Sequence, residues 1–246
     1  MLATIQERGV FELKIEVWSD YVCPFCYIGK RQLELALQQT GYKEAIEVEF
    51  KSYLLDPTTP EDATGPVIDS LKQKYNMSLE EAKGMTANVA SRAKEVGLDY
   101  NFDDMKTANT VKAHRLAKWA ETKGKEKEFT ERVLKAYFLE GQAIGQSNVL
   151  QTLAEEVGLA SEGAKEVLES NQYMENVQQD IAIAQQLGVR GVPFFVIDNK
   201  YGISGAQPQQ VFEQAIEKAA QEAGLRKPLK MQGDSGVVCT DDSCEI

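Results

Sequence analysis

Two periodicities alternate along the chain. Ile15 and Val17 fall between polar Lys14 and Glu16 at the period of two that marks a strand, and after a short turn Leu33, Ala36 and Leu37 recur at helical spacing. The pattern predicts a strand, a turn and a helix over about 24–40, with Gly41-Tyr42 punctuating the next turn. Ile46, Val48 and Phe50 then alternate with Glu47, Glu49 and Lys51 as a second strand. Asp56-Pro57-Thr58-Thr59-Pro60 breaks regular structure and marks a boundary.

From Pro66 to about Leu187 the signals are helical throughout. Pro66 starts the first helix, and Ser78-Leu79-Glu80-Glu81 has the spacing of a capping box for a second, running towards Val96 and ended by Gly97. A third is expected to open at Asp103 and pass through His114 and Trp119 to Gly124, and a fourth to span Glu126 to Glu140. Ser147 is expected to cap a fifth, with Leu150, Leu153, Ala154 and Val157 as its apolar stripe. Two more begin near Glu162 and Met174, the latter ending at Gly188. Strand character resumes over Gly191-Val192-Pro193-Phe194-Phe195-Val196-Ile197, followed by a hairpin loop, a return strand from Tyr201 to Ser204 and a last helix over about Gln209 to Glu222. The expected class is therefore α/β with a large all-helical inserted domain. Residues 12–60 and 188–226 form the α/β domain, 61–187 the helical insertion, and 227–246 a Gly-, Asp- and Ser-rich flexible tail.

Composition narrows the function classes. With 246 residues, 43% hydrophobic and 26% charged, the chain is that of an ordinary globular protein. A net charge of −11 disfavours nucleic acid and anionic membrane as partners, although solubility alone accounts for it. The first eleven residues lack a basic stretch followed by an apolar one, so no secretory signal is read there, and no long uncharged apolar run marks a membrane span. A cytoplasmic address is expected. Four cysteines are too few for a disulfide scaffold in a chain of this size, and in that compartment they point to catalysis or metal binding.

The chemistry centres on Cys23-Pro24-Phe25-Cys26, which the periodicity places where the first helix begins. A helix start exposes unpaired N–H groups and the positive end of the dipole, and a Cys-X-X-Cys there can bring a thiol from ~8.5 into a range of ~3.5–7.5. Cys23 is expected to be the nucleophile and Cys26, one turn on, the resolving thiol. Pro24 suits a first helical turn, where its missing N–H costs little. Two cysteines three apart also make half of a zinc site, but a strand-to-helix junction in an α/β chain is the context of a redox dithiol.

Three segments, Ser19 to Gly29 around the dithiol, Gly191 to Val196, and Ser204-Gly205-Ala206-Gln207, together resemble the DsbA-like oxidoreductases of the FrnE type. The resemblance covers about residues 13–222, with the motifs in order around a helical insert. It implies a thioredoxin-like fold with a helical insertion and dithiol–disulfide exchange, or isomerisation, on protein or small-molecule thiols. It also implies that Pro193 is cis and faces the dithiol, where the Val192 backbone can pair with an extended substrate. Without it, Pro193 reads only as a strand-start proline. The dipeptide Pro24-Phe25 contains no histidine, so the strongly oxidising potential of DsbA, ~−120 mV, is not implied; a value nearer the ~−270 mV of thioredoxin suits a reducing compartment. Kappa-type glutathione transferases and hydroxychromene carboxylate isomerases share the architecture but carry serine at the first cysteine, so Cys23 shifts the reading towards redox chemistry.

Further candidates carry weaker signals. His114, the single histidine, lies on a predicted helix that the resemblance turns towards the cleft; a packed histidine without chemistry is an equal reading. Glu16 is weighed as a proton acceptor for the inner thiol and as a plain solvent-facing strand residue. Pro24, Phe25, Ser204 and Gln207 are assigned with Val192 and Pro193 to substrate binding, although a turn alone explains Ser204 and Gln207. Cys239 and Cys244 in the tail admit an accessory redox shuttle, an inert disulfide, a metal site shared with Cys23 and Cys26, or no function. No metal and no bound cofactor are expected, and glutathione is a candidate co-substrate. The expected partner is a thiol- or disulfide-bearing protein, peptide or glutathione, and the chain a monomer or homodimer. A glutathione-dependent transferase or isomerase and a non-catalytic metal- or peptide-binding module are the alternatives.

Overall fold

The structure is a computed structural model and describes residues 13–226; the Cys239/Cys244 pair and the tail that holds it lie outside the described residues. The elements run β1 (Leu13–Ser19), α1 (Pro24–Thr40), β2 (Ile46–Ser52), α2 (Val67–Tyr75), α3 (Leu79–Lys94), α4 (Val111–Thr122), α5 (Glu126–Phe138), α6 (Ser147–Glu156), α7 (Ser161–Glu169), α8 (Met174–Gln186), β3 (Phe194–Ile197), β4 (Tyr201–Ser204) and α9 (Gln209–Glu222). The helices α2 to α8 thus stand between the second and third strands, as the sequence pattern requires.

One four-stranded sheet, in the order β2-β1-β3-β4, holds the strands together. β1 and β2 are parallel with Val17 opposite Phe50, which needs α1 as the crossover. β3 runs antiparallel to β1, with Phe195 opposite Val17, and β4 antiparallel to β3. Strand alternation sends Ile15 and Val17 to one side, into a core with Leu33, Leu37, Phe195, Phe212 and Ile216 from α1, β3 and α9. Trp18 goes to the other side, against Ala184 and Val189, and its indole N–H donates to the Asp180 carbonyl of α8 at 2.9 Å.

α1 faces two cores. Leu33, Ala36 and Leu37 belong to the sheet side, whereas Tyr27 and Ile28 pack into the helical layer with residues such as Leu116, Phe129 and Val133. The Tyr27 hydroxyl and the Lys30 ammonium both donate to Glu131 of α5, at 2.7 and 2.5 Å. Gly41 ends the helix in the left-handed region, φ 81°, with its N–H on the Leu37 carbonyl at 3.1 Å.

Several local expectations meet the structure unevenly. The capping box is present: the Glu81 N–H donates to the Ser78 hydroxyl and the Ser78 N–H to the Glu81 carboxylate. The third helix starts at Val111, not Asp103. Residues 102–104 form a turn, and backbone bonds from Asn101 to Phe138, from Val67 to Met105 and from Thr107 to Gly65 tie the stretch around it to other elements, with Met105 buried; Asn109 Oδ1 accepts the Val111 N–H at 3.0 Å. α6 begins at Ser147 itself, with Gln146 at the cap position and no side-chain cap bond. The third strand is shorter than expected because 191–193 do not pair with the sheet; they turn towards the dithiol.

Two glycines test how tightly the helices pack. A Cβ on Gly163 of α7 would sit 2.5 Å from Cζ2 of the buried Trp119, whereas one on Gly84 of α3 would meet nothing within 4 Å. Gly163→Ala is expected to lose stability by ~1–3 kcal/mol through overpacking, outweighing its propensity gain, and Gly84→Ala to gain up to ~1 kcal/mol. Urea unfolding midpoints of the two variants should therefore move in opposite directions.

Candidate active site

Cys23 occupies the N-cap of α1, with extended backbone (φ −86°, ψ 111°) and Pro24 following at the first helical position. Its N–H donates to the Asp20 carbonyl at 3.0 Å, which closes the turn after β1. The thiol therefore stands at the end of a 17-residue helix where backbone N–H groups have no intrahelical acceptor.

Facing it is the loop before β3. The Cys23 thiol lies 3.4 Å from the Val192 carbonyl, to which it donates, and the Val192–Pro193 peptide is cis. The Pro193 carbonyl in turn accepts the Gly205 N–H at 2.8 Å, tying this loop to the turn after β4. The approach of α1 to the loop needs a residue without a side chain at Gly29, since a Cβ there would lie 3.0 Å from both the Pro193 ring and the Phe195 ring.

The two thiols have different surroundings. Both are unbridged, and Cys26 is 2% exposed. Burial pushes the Cys26 thiol well up, and its hydrogen bond with Cys23 and the charge on a Cys23 thiolate push it further; the Ser19 side chain and the Asp20 backbone oppose this. Cys26 accordingly keeps its proton. Its N–H donates to the Cys23 carbonyl at 3.0 Å, which fixes it one turn inside the helix.

Beside Cys23 lies a cavity of about 560 Å³, walled by the Val22-to-Phe25 turn, Val192, α2, α3, the stretch before α4 and the end of α5. Pro24 and Phe25 line it; the Pro24 carbonyl accepts the Tyr100 hydroxyl at 2.7 Å, and the Arg92 guanidinium covers the Phe25 ring at 5.1 Å. His114 does not line this cavity, a correction to its expected place on the cleft. It is 4% exposed, with its ring 4.8 Å from Tyr21 and Nε2 3.4 Å from Asp20 Oδ1, because the apolar face of α4 carries it into the interior. Ser204 and Gln207 are exposed and bonded to each other, amide to carbonyl at 2.8 Å; Ser204 pairs with Phe194 beside the dithiol loop, and Gly205 between them bonds the Pro193 carbonyl. Glu16 pairs with Lys14 and Lys51, each at 3.5 Å, on the lysine-bearing face of the sheet.

A polar group beneath the dithiol was not legible in the sequence. Asp20, 1% exposed, accepts the Leu55 N–H at 2.8 Å. Deeper in, Ser19, Tyr21, His114, Lys118, Thr130 and Glu126 surround a cavity of about 10 Å³, roughly the space of one water. The Lys118 ammonium donates to the Phe50 carbonyl at 3.1 Å and pairs with Asp180 at 2.8 Å. Glu126 accepts the Phe50 N–H at 3.4 Å through Oε2, while its Oε1 is buried without a partner. Burial pushes this carboxyl up to about 8, against the attraction of Lys118. Tyr21 and Thr130, whose hydroxyls bond each other, lie 109 positions apart, so no local motif announces the group.

A thioredoxin-like sheet with an interposed helical layer, a dithiol at a helix N-terminus and a cis-proline loop opposite defines the class. The chain belongs to the family of the DSBA-like thioredoxin domain, whose model matches residues 14–217. The Bacillus subtilis (strain 168) protein YwbO, itself uncharacterised, is 33% identical over 204 residues, covering 82% of this chain and 94% of its own. The crystal structure of the probable DsbA oxidoreductase SCO1869 from Streptomyces coelicolor is 36% identical, with a TM-score of 0.82 over 95% of this chain and 99% of that one. The cytosolic disulfide reductase DsbM from Pseudomonas aeruginosa shares the fold at 16% identity, with a TM-score of 0.57 over 85% of this chain and 99% of its own.

Glu126 yields a pH test. Its ordinary value is 4.5 and its folded value about 8, so the folded state holds a proton that the unfolded chain releases between those values. The resulting stability is fully present below pH ~4.5 and is lost as pH rises through about 8, by on the order of a few kcal/mol. Glu126→Gln is expected to flatten that decline, as read by chemical denaturation across pH 5 to 9; an unchanged slope would refute the assignment.

Proposed function

We propose that the chain is a dithiol–disulfide oxidoreductase in which Cys23 is the nucleophile and Cys26 the resolving thiol. One observation carries the reading. Cys23 stands at the N-terminus of α1 opposite the Val192 carbonyl, with Cys26 held as a buried, protonated thiol one turn further in. Reaction at Cys23 leaves a mixed disulfide, and attack by Cys26 on the Cys23 sulfur then releases the substrate thiol and closes the Cys23–Cys26 disulfide. Displacement of the Cys23 thiol from the Val192 carbonyl would free that backbone group for an extended substrate, in the manner of strand addition.

The membership in the DSBA-like family supports this reading, as does the presence of cysteine at position 23. A cytoplasmic address fits it, because a reducing compartment returns the disulfide to the dithiol. Among the described residues no helix is long and apolar enough to cross a membrane. The substrate is a thiol or disulfide; Pro193 and Val192 present it, while Ser204 and Gln207 support that loop through Gly205.

Cys23→Ser is expected to abolish turnover of a disulfide substrate with dithiothreitol as reductant, and Cys26→Ser to accumulate a mixed disulfide on Cys23 that intact-mass analysis detects. Undiminished turnover in Cys23→Ser would refute the reading.

A further inference from the structure

The cavity beside Cys23 is built to receive apolar surface. Its volume, about 560 Å³, falls within the ~300–1,000 Å³ of small-molecule sites. Val67, Leu71 and Tyr75 of α2 line it at i, i+4 and i+8, so this helix turns its apolar stripe towards the cavity; Ile68 is its buried residue. Met85 and Val89, four apart on α3, extend the same wall. Cys23, 4% exposed, contributes to the wall opposite and so meets a ligand across apolar surface.

The polar inventory is small and mostly satisfied within the protein. Asp56 and Lys74 are the charged residues of the wall, and they pair with each other at 3.3 Å. The Ser70 and Thr107 hydroxyls bond each other at 2.5 Å. Tyr137 differs: it lines the cavity at 2% exposure, and its hydroxyl has no hydrogen-bond partner among the described residues. Burial pushes that hydroxyl upward, so it keeps its proton as a donor. Glutathione carries two carboxylates and an ammonium, whose burial against this wall would leave charges unpaired.

We propose that Cys23 acts on a small, uncharged, predominantly apolar disulfide seated between α2, α3 and the first turn of α1, with the Tyr137 hydroxyl donating to a polar atom of the ligand. The proposal rests on the reading of Cys23 as nucleophile. The Cys23 thiolate attacks one sulfur of R–S–S–R, the Cys23–S–S–R bond forms, and R–S⁻ leaves and is protonated by water. Cys26 then gives up its proton to water and attacks the Cys23 sulfur; the Cys23–Cys26 disulfide forms as the second R–S⁻ departs. The substrate disulfide gains two electrons and the dithiol loses them.

The test is single-turnover oxidation of the reduced full-length chain by dimethyl, diethyl and dipropyl disulfide and by glutathione disulfide. Alkylation and peptide mass follow the Cys23–Cys26 peptide, and each rate is divided by that of dithiothreitol with the same disulfide. The corrected rate is expected to rise about threefold or more per step of the alkyl series and to exceed that of glutathione disulfide about tenfold at dipropyl. Met85→Trp and Val89→Trp, either sufficient if the other fails to fold, are expected to lower the dipropyl rate about tenfold and leave the glutathione disulfide rate within about twofold. A flat series, a faster glutathione disulfide, or filling variants without effect would overturn the proposal. Absence of any reversible Cys23–Cys26 couple in a graded glutathione buffer would instead remove the underlying reading of Cys23; a normal couple with a flat alkyl series removes only the apolar substrate.

Discussion

Helix α1 carries a constraint on which the rest depends: it must bury two faces at once and bring its N-terminus against the loop before β3. Leu33, Ala36 and Leu37 commit it to the sheet core and Tyr27 and Ile28 to the helical layer. Gly29 lets the Pro193 and Phe195 rings approach to contact distance. A helix clamped in this way cannot roll, and Cys23 at its start has one place to stand, opposite the Val192 carbonyl. Positioning of the dithiol is therefore a by-product of core packing, not of bonds made to the thiols themselves.

The surroundings then make two chemically identical side chains unlike. Cys23 has the helix terminus and the cavity; Cys26 has burial and the adjoining Cys23 sulfur, and both oppose its ionisation. Beneath them lies a polar group drawn from β1, β2, α4, α5 and α8, in which Lys118 and Asp180 satisfy backbone groups of β2 and Glu126 keeps one oxygen unpaired. Such a group is stable only if its members are nearly all satisfied; the orphan oxygen is the exception, on a carboxyl that burial raises.

The helices between β2 and β3 do more than cover the sheet. α4 to α7 close a dense core around Phe129, Val133 and Leu150, which Ala93 of α3 joins and Val67 of α2 packs against, and α2 and α3 also wall the apolar cavity next to Cys23. The fold alone fixes no chemistry, and the side chains in the site decide it.

The sequence by itself determined the local structure and the reactive pair. Periodicity marked the strands, nearly all the helices and the Ser78–Glu81 cap, because those depend on residues within one or two turns of each other. The same locality placed Cys23 and Cys26 on one turn at a helix start. Where long-range bonds competed, the pattern failed: Asp103 does not open a helix because its neighbours bond to Gly65 and Phe138. His114 lies inside rather than on the cleft because Asp20, 94 positions away, and Tyr21 receive it. The cavity, the unpartnered Glu126 Oε1 and the Tyr137 hydroxyl left without a partner among the described residues exist only where elements distant in the chain meet, and the tertiary structure alone decided them.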